Sequence, residues 1–221
     1  MKEGVVKFQC DWARKPLVVE PGLLELVNLW RSRLRDLGLF GALPHGVGFG
    51  NISVRAPGPG QERGPTVAGA GAPPSDETLS FLISGSGTGR LGQLKPENLS
   101  HVFSFDLGRN RLSCRGLTEA SSESLSHGAI YTARRDAGAV IHVHSSDLWK
   151  GLHGRVPTTP AAIQYGTPEM AMSLMELSSN LNPGLAHTLV MGGHRDGLIA
   201  FGKDLNQVGE AILQQMISVQ E

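Results

Sequence analysis

Gly138-Ala139-Val140-Ile141-His142-Val143-His144 is the stretch on which the reading of this chain turns. It is rich in β-branched residues and carries no Pro, Asp, Glu, Lys or Arg, the composition of a strand buried on both faces. Side chains alternate across a strand, so His142 and His144 share a face, their Cα atoms about 6.6 Å apart. Two imidazoles placed this way can converge on one metal ion at nitrogen–metal distances of about 2.1 Å. An H-x-H pair at a strand end is also compatible with two ordinary histidines, so a metal centre needs a third donor. His194, in Gly192-Gly193-His194-Arg195-Asp196-Gly197 between two strand candidates, supplies an imidazole, and Glu123 offers a carboxylate. Three neutral imidazoles leave zinc an open position for a substrate, as catalytic sites require.

Outward from this strand, helices and strands alternate without a repeat. Leu23, Leu24, Val27, Trp30, Leu34 and Leu37 follow helical spacing from Glu20 to Gly38, with Arg31, Arg33 and Arg35 off the apolar face. Strands are expected at Asn51–Arg55, Leu79–Ser84 and His101–Asp106, with a short edge strand at Leu112–Cys114. Ser121 to Ala133 reads as a helix capped by Ser121 or Ser122, with Glu123 in its first turn. A second helix covers Met170–Leu181, opened by Thr167-Pro168-Glu169. Thr188–Met191 and Leu198–Phe201 pair as strands, and Asp204 caps a closing helix through Val208, Ile212, Met216 and Ile217. Residues 1–19 lack periodicity and read as an irregular lead-in packing Phe8 and Trp12. The stretch 56–77, rich in Pro, Gly and Ala, cannot bury a core and reads as a flexible excursion within one domain spanning 20–221. The fold class is α/β.

Composition narrows the function. With 221 residues and 40% apolar content there is enough chain for one core. Twenty Lys plus Arg against twenty Asp plus Glu give no net charge to steer the surface to nucleic acid or an anionic membrane. There is no apolar run of membrane-spanning length, and Met1-Lys2-Glu3-Gly4 lacks the layout of a secretory signal. Two cysteines, Cys10 and Cys114, neither form a disulfide framework nor a C-x-x-C zinc site. The expectation is a soluble, cytoplasmic globular protein with neither nucleic acid nor membrane as partner. Two glycine-serine segments, Gly48–Ser53 and Ser84–Gly89, expose backbone N–H groups and hydroxyls suited to an oxyanion such as phosphate. Ser121-Ser122 adds donors at a helix start.

Six segments in order, GNISVR (Gly50–Arg55), ISGSG (Ile83–Gly87), SSESLSH (Ser121–His127), AGAVIHVHS (Ala137–Ser145), YGTPEM (Tyr165–Met170) and GHRDGLIAFG (Gly193–Gly202), resemble the class II aldolase/adducin family over about residues 20–215. The resemblance implies a three-layer α/β/α domain with a mostly antiparallel central sheet. It implies His142, His144 and His194 as ligands of a divalent metal, Zn2+ or else Mn2+ or another ion, and Glu123 as the catalytic carboxylate. Gly50, Asn51, Ser86, Gly87, Ser121 and Ser122 match the family's phosphate-binding positions. The implied activity is that of a lyase acting on a small hydroxy-carbonyl compound, sugar phosphates included, through a metal-stabilised enediolate, in a homotetramer with interfacial active sites. The alternatives are an adducin-like non-catalytic interaction module, or an epimerase, dehydratase or decarboxylase of the same family. Three features depart from the family pattern. His194 is followed by two residues before Gly197, so Asp196 is a competing candidate for the third ligand position. The segment from Ser145 to Tyr165 is short, and Tyr131 and Tyr165 are the only tyrosines to protonate a leaving group.

Overall fold

The computed structural model describes residues 8–44, 46–56 and 79–220. Ten strands appear among them: β1 (Gln9–Ala13), β2 (Gly41–Ala42), β3 (Gly48–Phe49), β4 (Asn51–Ala56), β5 (Ser80–Ser84), β6 (Leu99–Asp106), β7 (Arg111–Arg115), β8 (Ala139–His144), β9 (His187–Val190) and β10 (Gly197–Gly202). The five α-helices are α1 (Pro21–Asp36), α2 (Ser124–Ala133), α3 (Ser146–Leu152), α4 (Pro168–Ser179) and α5 (Leu205–Gln220). Eight strands form one sheet in the order β1-β7-β6-β5-β4-β8-β10-β9, while β2 and β3 pair separately. Only β1 and β7 run parallel; every other pairing in the large sheet is antiparallel.

The pleat divides the core into two. Ile141 and Val143 of β8 point to one face, where Trp30 and Leu34 of α1, Leu148 and Leu152 of α3, and Val208 and Ile212 of α5 cover them. Val140 points to the other, packing with Ile130 and Tyr131 of α2 and Met170 and Leu174 of α4. Burial on both faces is why the β8 sequence shows no polar alternation. His142 and His144 have the parity of Val140, so they lie on the α2/α4 side of the sheet.

Local signals set several helix boundaries. The Glu20 carboxylate caps α1, accepting from the amides of Gly22 and Leu23 at 2.9 and 2.7 Å. Asp204 caps α5 through the Gln207 amide at 2.9 Å. Thr167 caps α4 ahead of Pro168.

Four expectations are corrected, and one helix lies where none is expected. The lead-in contains a strand: β1 adds to the sheet in register with β7, Trp12 opposite Cys114. Five residues with half-buried alternation are too few for a strong periodic signal. With β1 in place, β7 is no longer an edge. Arg31 is not off the packed face of α1 but 2% exposed, its guanidinium donating to the carbonyls of Thr88 and Leu91 at 3.0 and 2.9 Å. The α2 helix starts after Glu123, which stands at the capping position and makes no side-chain cap bond itself, while the Ser121 hydroxyl accepts from the Glu123 amide at 3.4 Å. Finally, α3 falls in the stretch after His144, opened by Ser145, whose hydroxyl accepts from the Leu148 amide at 3.2 Å. The excursion expected at 56–77 lies outside the described residues apart from Ala56, which ends β4 opposite Ser80.

Candidate metal centre

One strand and one turn bring the three imidazoles together. His142 and His144 come from β8, and His194 comes from the turn between β9 and β10. Antiparallel pairing sets Gly197 opposite His144, so the β9–β10 turn ends beside the H-x-H pair. The turn is held by the His194 amide donating to Met191 at 3.0 Å and the Gly197 amide donating to His194 at 2.9 Å. Gly197 is required by close approach, since a Cβ there would stand 2.9 Å from the His194 ring. Ring centroids are 4.8 Å apart for His142–His144, 5.0 Å for His142–His194 and 4.8 Å for His144–His194, a nearly equilateral triangle. One nitrogen from each ring lies within 4.8 Å of the other two.

The protonation pattern suits a ligand set. His142 Nδ1 lies 2.8 Å from the Leu198 carbonyl, which can only accept, so Nδ1 carries the proton and the Nε2 lone pair faces the cluster. His142 Nε2 is 3.0 Å from His144 Nε2. Burial pushes the His144 pKa well below the usual imidazole range, and the neighbouring His142 and His194 push it the same way. A cation held between such nitrogens satisfies lone pairs that would otherwise need a proton between them, so the donors present fit a divalent ion.

Glu123 enters from the start of α2 and is 3% exposed. Its Oε2 accepts from Ser126 Oγ at 2.7 Å, while Oε1 lies 3.9 Å from His194 Nδ1. Among the described residues Oε1 accepts no hydrogen bond. One oxygen is thus anchored and the other faces the imidazoles. Asp196, the competing third ligand, sits in the left-handed region at φ 64° and accepts from Ser146 Oγ at 2.7 Å, so it braces α3. The geometric cluster contains His194.

Beside the cluster lies a small cleft, open to solvent and lined by the expected Gly50, Asn51, Gly87, Ser121, Ser122, Glu123 and His142. Asn51 pairs with His142 in the β4–β8 register, and its buried Oδ1 accepts no hydrogen bond among the described residues. Gly50 has φ 80°, and a Cβ there would stand 2.8 Å from the Phe40 ring. Ser86 is not among the lining residues; its amide donates to the Glu119 carbonyl at 2.8 Å. The lining also includes Phe49, Thr88 and Gly89, which lie within the two glycine-serine segments but match none of the family's phosphate positions. The run GTGR after ISGSG was the available signal. Tyr165 was read only as a scarce tyrosine, yet its ring stacks on His194 with centroids 4.4 Å apart. Tyr131 and His127 lie deeper on α2, both bonded to Ser53 Oγ, at 2.9 and 2.7 Å. Burial, reinforced by His142, holds His127 well below the usual imidazole range, so it is a neutral core group.

Comparison with known proteins follows the same lines. The family model for the class II aldolase and adducin N-terminal domain matches residues 39–214. The solved L-fuculose-1-phosphate aldolase of Thermus thermophilus is 21% identical at a TM-score of 0.61, over 91% of this chain and 92% of that one. YgbL of Escherichia coli, a putative aldolase/epimerase/decarboxylase, is 19% identical at 0.62, over 90% and 87%. A sugar-phosphate aldolase of Thermotoga maritima is 16% identical at 0.63, over 90% and 94%. No curated protein matches by sequence. Among the described residues no helix is long and apolar enough to cross a membrane.

Proposed function

Because the chain belongs to the class II aldolase and adducin N-terminal domain family, we propose that it is a metal-dependent lyase cleaving a carbon–carbon bond in a small hydroxy-carbonyl substrate, sugar phosphates included. The observation that carries the reading is one arrangement: three clustered imidazoles with the Oε1 of a buried carboxylate 3.9 Å from the third. A scaffold that only binds partners has no physical need to bury this donor set.

His142, His144 and His194 would hold the ion, Zn2+ by the preference of three imidazoles. When bound, a divalent cation supplies a Lewis acid that stabilises negative charge developing on substrate oxygens. The protein supplies the rest. Glu123 takes or returns a proton at Oε1 as general acid/base, while Ser126 fixes Oε2 and so the direction in which Oε1 points. Asn51, Ser121, Ser122 and the amides around Gly87 bind the substrate's anionic end in the cleft. Tyr165, stacked on His194, limits the rotation of that ring. Assembly as a homotetramer with interfacial sites, and a cytoplasmic location, rest on the family resemblance alone.

The test combines metal content with turnover. Purified protein is analysed for bound metals, then assayed against ketose phosphates, beginning with L-fuculose 1-phosphate, for released aldehyde. About one divalent ion per chain and metal-dependent aldehyde release are expected. Bound metal without cleavage of any member of the panel would shift the reading to epimerisation, dehydration or decarboxylation. No bound metal after reconstitution would leave a non-catalytic module.

A further inference from the structure

Cys10 and Cys114 are 104 residues apart in sequence and meet across the β1–β7 pair. The parallel register sets Cys10 against Leu112 and Trp12 against Cys114, so all four side chains share one face and the two sulfurs approach diagonally. The Sγ atoms are 3.4 Å apart. Cys114 is fully buried in the core cluster on the α2/α4 side of the sheet, and Cys10 is half-buried against it. The Trp12 indole N–H donates to the Gly116 carbonyl at 2.9 Å, fixing the strand alignment that holds the sulfurs together. Diagonal positions on paired strands stand roughly 8 Å apart at Cα, from one spacing of ~4.8 Å and two rises of ~3.3 Å, and a disulfide needs less than about 7 Å, so closure draws the edge strand β1 along β7 by about 1–2 Å.

We infer that Cys10 and Cys114 are an oxidisable pair that closes into a disulfide stapling the edge strand β1 to the sheet. Cys10, the less buried of the two, attacks one sulfur of glutathione disulfide as the thiolate. One glutathione thiolate leaves and takes up a proton, and Cys10 carries the mixed disulfide. Cys114, as thiolate, then attacks the Cys10 sulfur, the Cys10–glutathione bond breaks, and the second glutathione leaves protonated. Two thiols are oxidised and one glutathione disulfide is reduced to two glutathiones. The hydrogen bond from Cys10 lowers the Cys114 pKa to about 7, while the same contact raises that of Cys10, so the attack of Cys10 on glutathione disulfide is the slow step and quickens as pH rises. Five inter-strand spacings separate β1 from β8, about 24 Å, so the staple acts on stability and leaves the metal centre untouched.

The experiment incubates reduced full-length protein in glutathione redox buffers. It then reads intact mass, thiol content after denaturation, the linked peptide and the melting temperature. The expected product is a monomer lighter by two hydrogens, with no titratable thiol and a peptide joining Cys10 to Cys114. Its melting temperature should rise by about 5–10 °C, as a cross-link closing a long loop does, and fall back on reduction. Cys10→Ser, at the half-buried position, should melt with the reduced wild type and gain nothing from oxidation. Bound metal should be equal in the oxidised and reduced forms. A glutathione adduct on Cys10 with Cys114 still free, a disulfide-linked dimer, or two thiols persisting in oxidising buffer would each overturn the inference.

Discussion

Glu123→Gln separates a proton-transfer role from a structural one at the candidate site. Glutamine keeps the length of the side chain and an oxygen to accept from Ser126 Oγ, now at 2.7 Å, so the anchored half of the group survives. What is lost is the charge on the Oε1 side, 3.9 Å from His194 Nδ1, too far for a hydrogen bond. The folded state therefore loses no bond that the structure shows. A carboxylate 3% exposed carries a desolvation penalty of several kcal/mol, which the helix start offsets by only about 0.3–1 kcal/mol. The metal-free variant should accordingly melt at or above the wild type. For a chain of this size each kcal/mol moves the melting temperature by about 2–4 °C, so a gain of a few degrees is expected. Turnover should behave oppositely. A general acid/base group contributes about a hundred- to ten-thousand-fold in rate, or about 2.7–5.4 kcal/mol of transition-state stabilisation. That loss should appear in kcat far more than in KM. The assay is aldehyde release under saturating metal, paired with metal content and a thermal melt. Unchanged kcat with metal retained would refute the proton-transfer role. A large fall in melting temperature would refute the claim that the fold does not depend on this carboxylate.

Other outcomes follow from single features. His142→Ala and His144→Ala should each lose stoichiometric metal; metal retained in both, measured after dialysis, would rule out the triad. Gly197→Ala places a Cβ 2.9 Å from the His194 ring and 3.1 Å from its carbonyl oxygen, so both metal affinity and the metal-free melting temperature should fall, as titration and a thermal melt would show. Burial and the adjacent Arg115 lower His101 to about 4 from 6.5. The unfolded chain therefore binds the extra proton first, and stability present above pH 6.5 is lost as pH falls toward 4, by on the order of 3 kcal/mol. Urea melts across that range should flatten in His101→Gln. Ala56 and Ser80 face each other in the β4–β5 register, so replacing residues 58–78 with a short hairpin turn should leave the melting temperature within about 2 °C; loss of folding would refute the composition-based reading.

Legibility in the sequence followed the strength of the local signal. The buried run of β8 and the apolar spacing of α1, α4 and α5 were readable because a covered face imposes a period on the chain. β1 was not, since a five-residue edge strand pairs through its backbone and needs little from its side chains. Arg31 was misplaced because hydropathy cannot see that the carbonyls of Thr88 and Leu91 would receive its guanidinium. At the site, the spacing of His142 and His144 announced a shared face. The choice between His194 and Asp196 could not be made from spacing, because it depends on the left-handed turn at Asp196. Tyr165 gave no signal, since stacking on a residue far along the chain has no periodic trace.

The same parity that makes β8 legible also explains why its histidines call for a chemical role. Ala139, Ile141 and Val143 serve the core under α1, α3 and α5, whereas Val140 serves the one under α2 and α4. His142, the next residue of that second parity, is 1% exposed and occupies a place where an apolar side chain would pack. Burying a polar group there costs free energy unless each of its nitrogens is satisfied. The Leu198 carbonyl satisfies Nδ1. Nε2 faces His144 Nε2 at 3.0 Å, a contact filled either by a neutral His144 that holds its proton on Nε2 or by a cation that takes both lone pairs. Burial and the neighbouring imidazoles keep His144 neutral, so its lone pair is available to a cation at the centre of the triad. A prediction on stability follows: adding Zn2+ to metal-free protein should raise its melting temperature by mass action, and by more as the ion concentration rises. His142→Val replaces the imidazole with a group suited to its buried position. It should bring the metal-free protein to equal or higher stability while abolishing the response to Zn2+. A metal-free His142→Val protein that melts well below the metal-free wild type would show that the imidazole serves packing, and the argument from parity to metal binding would fail.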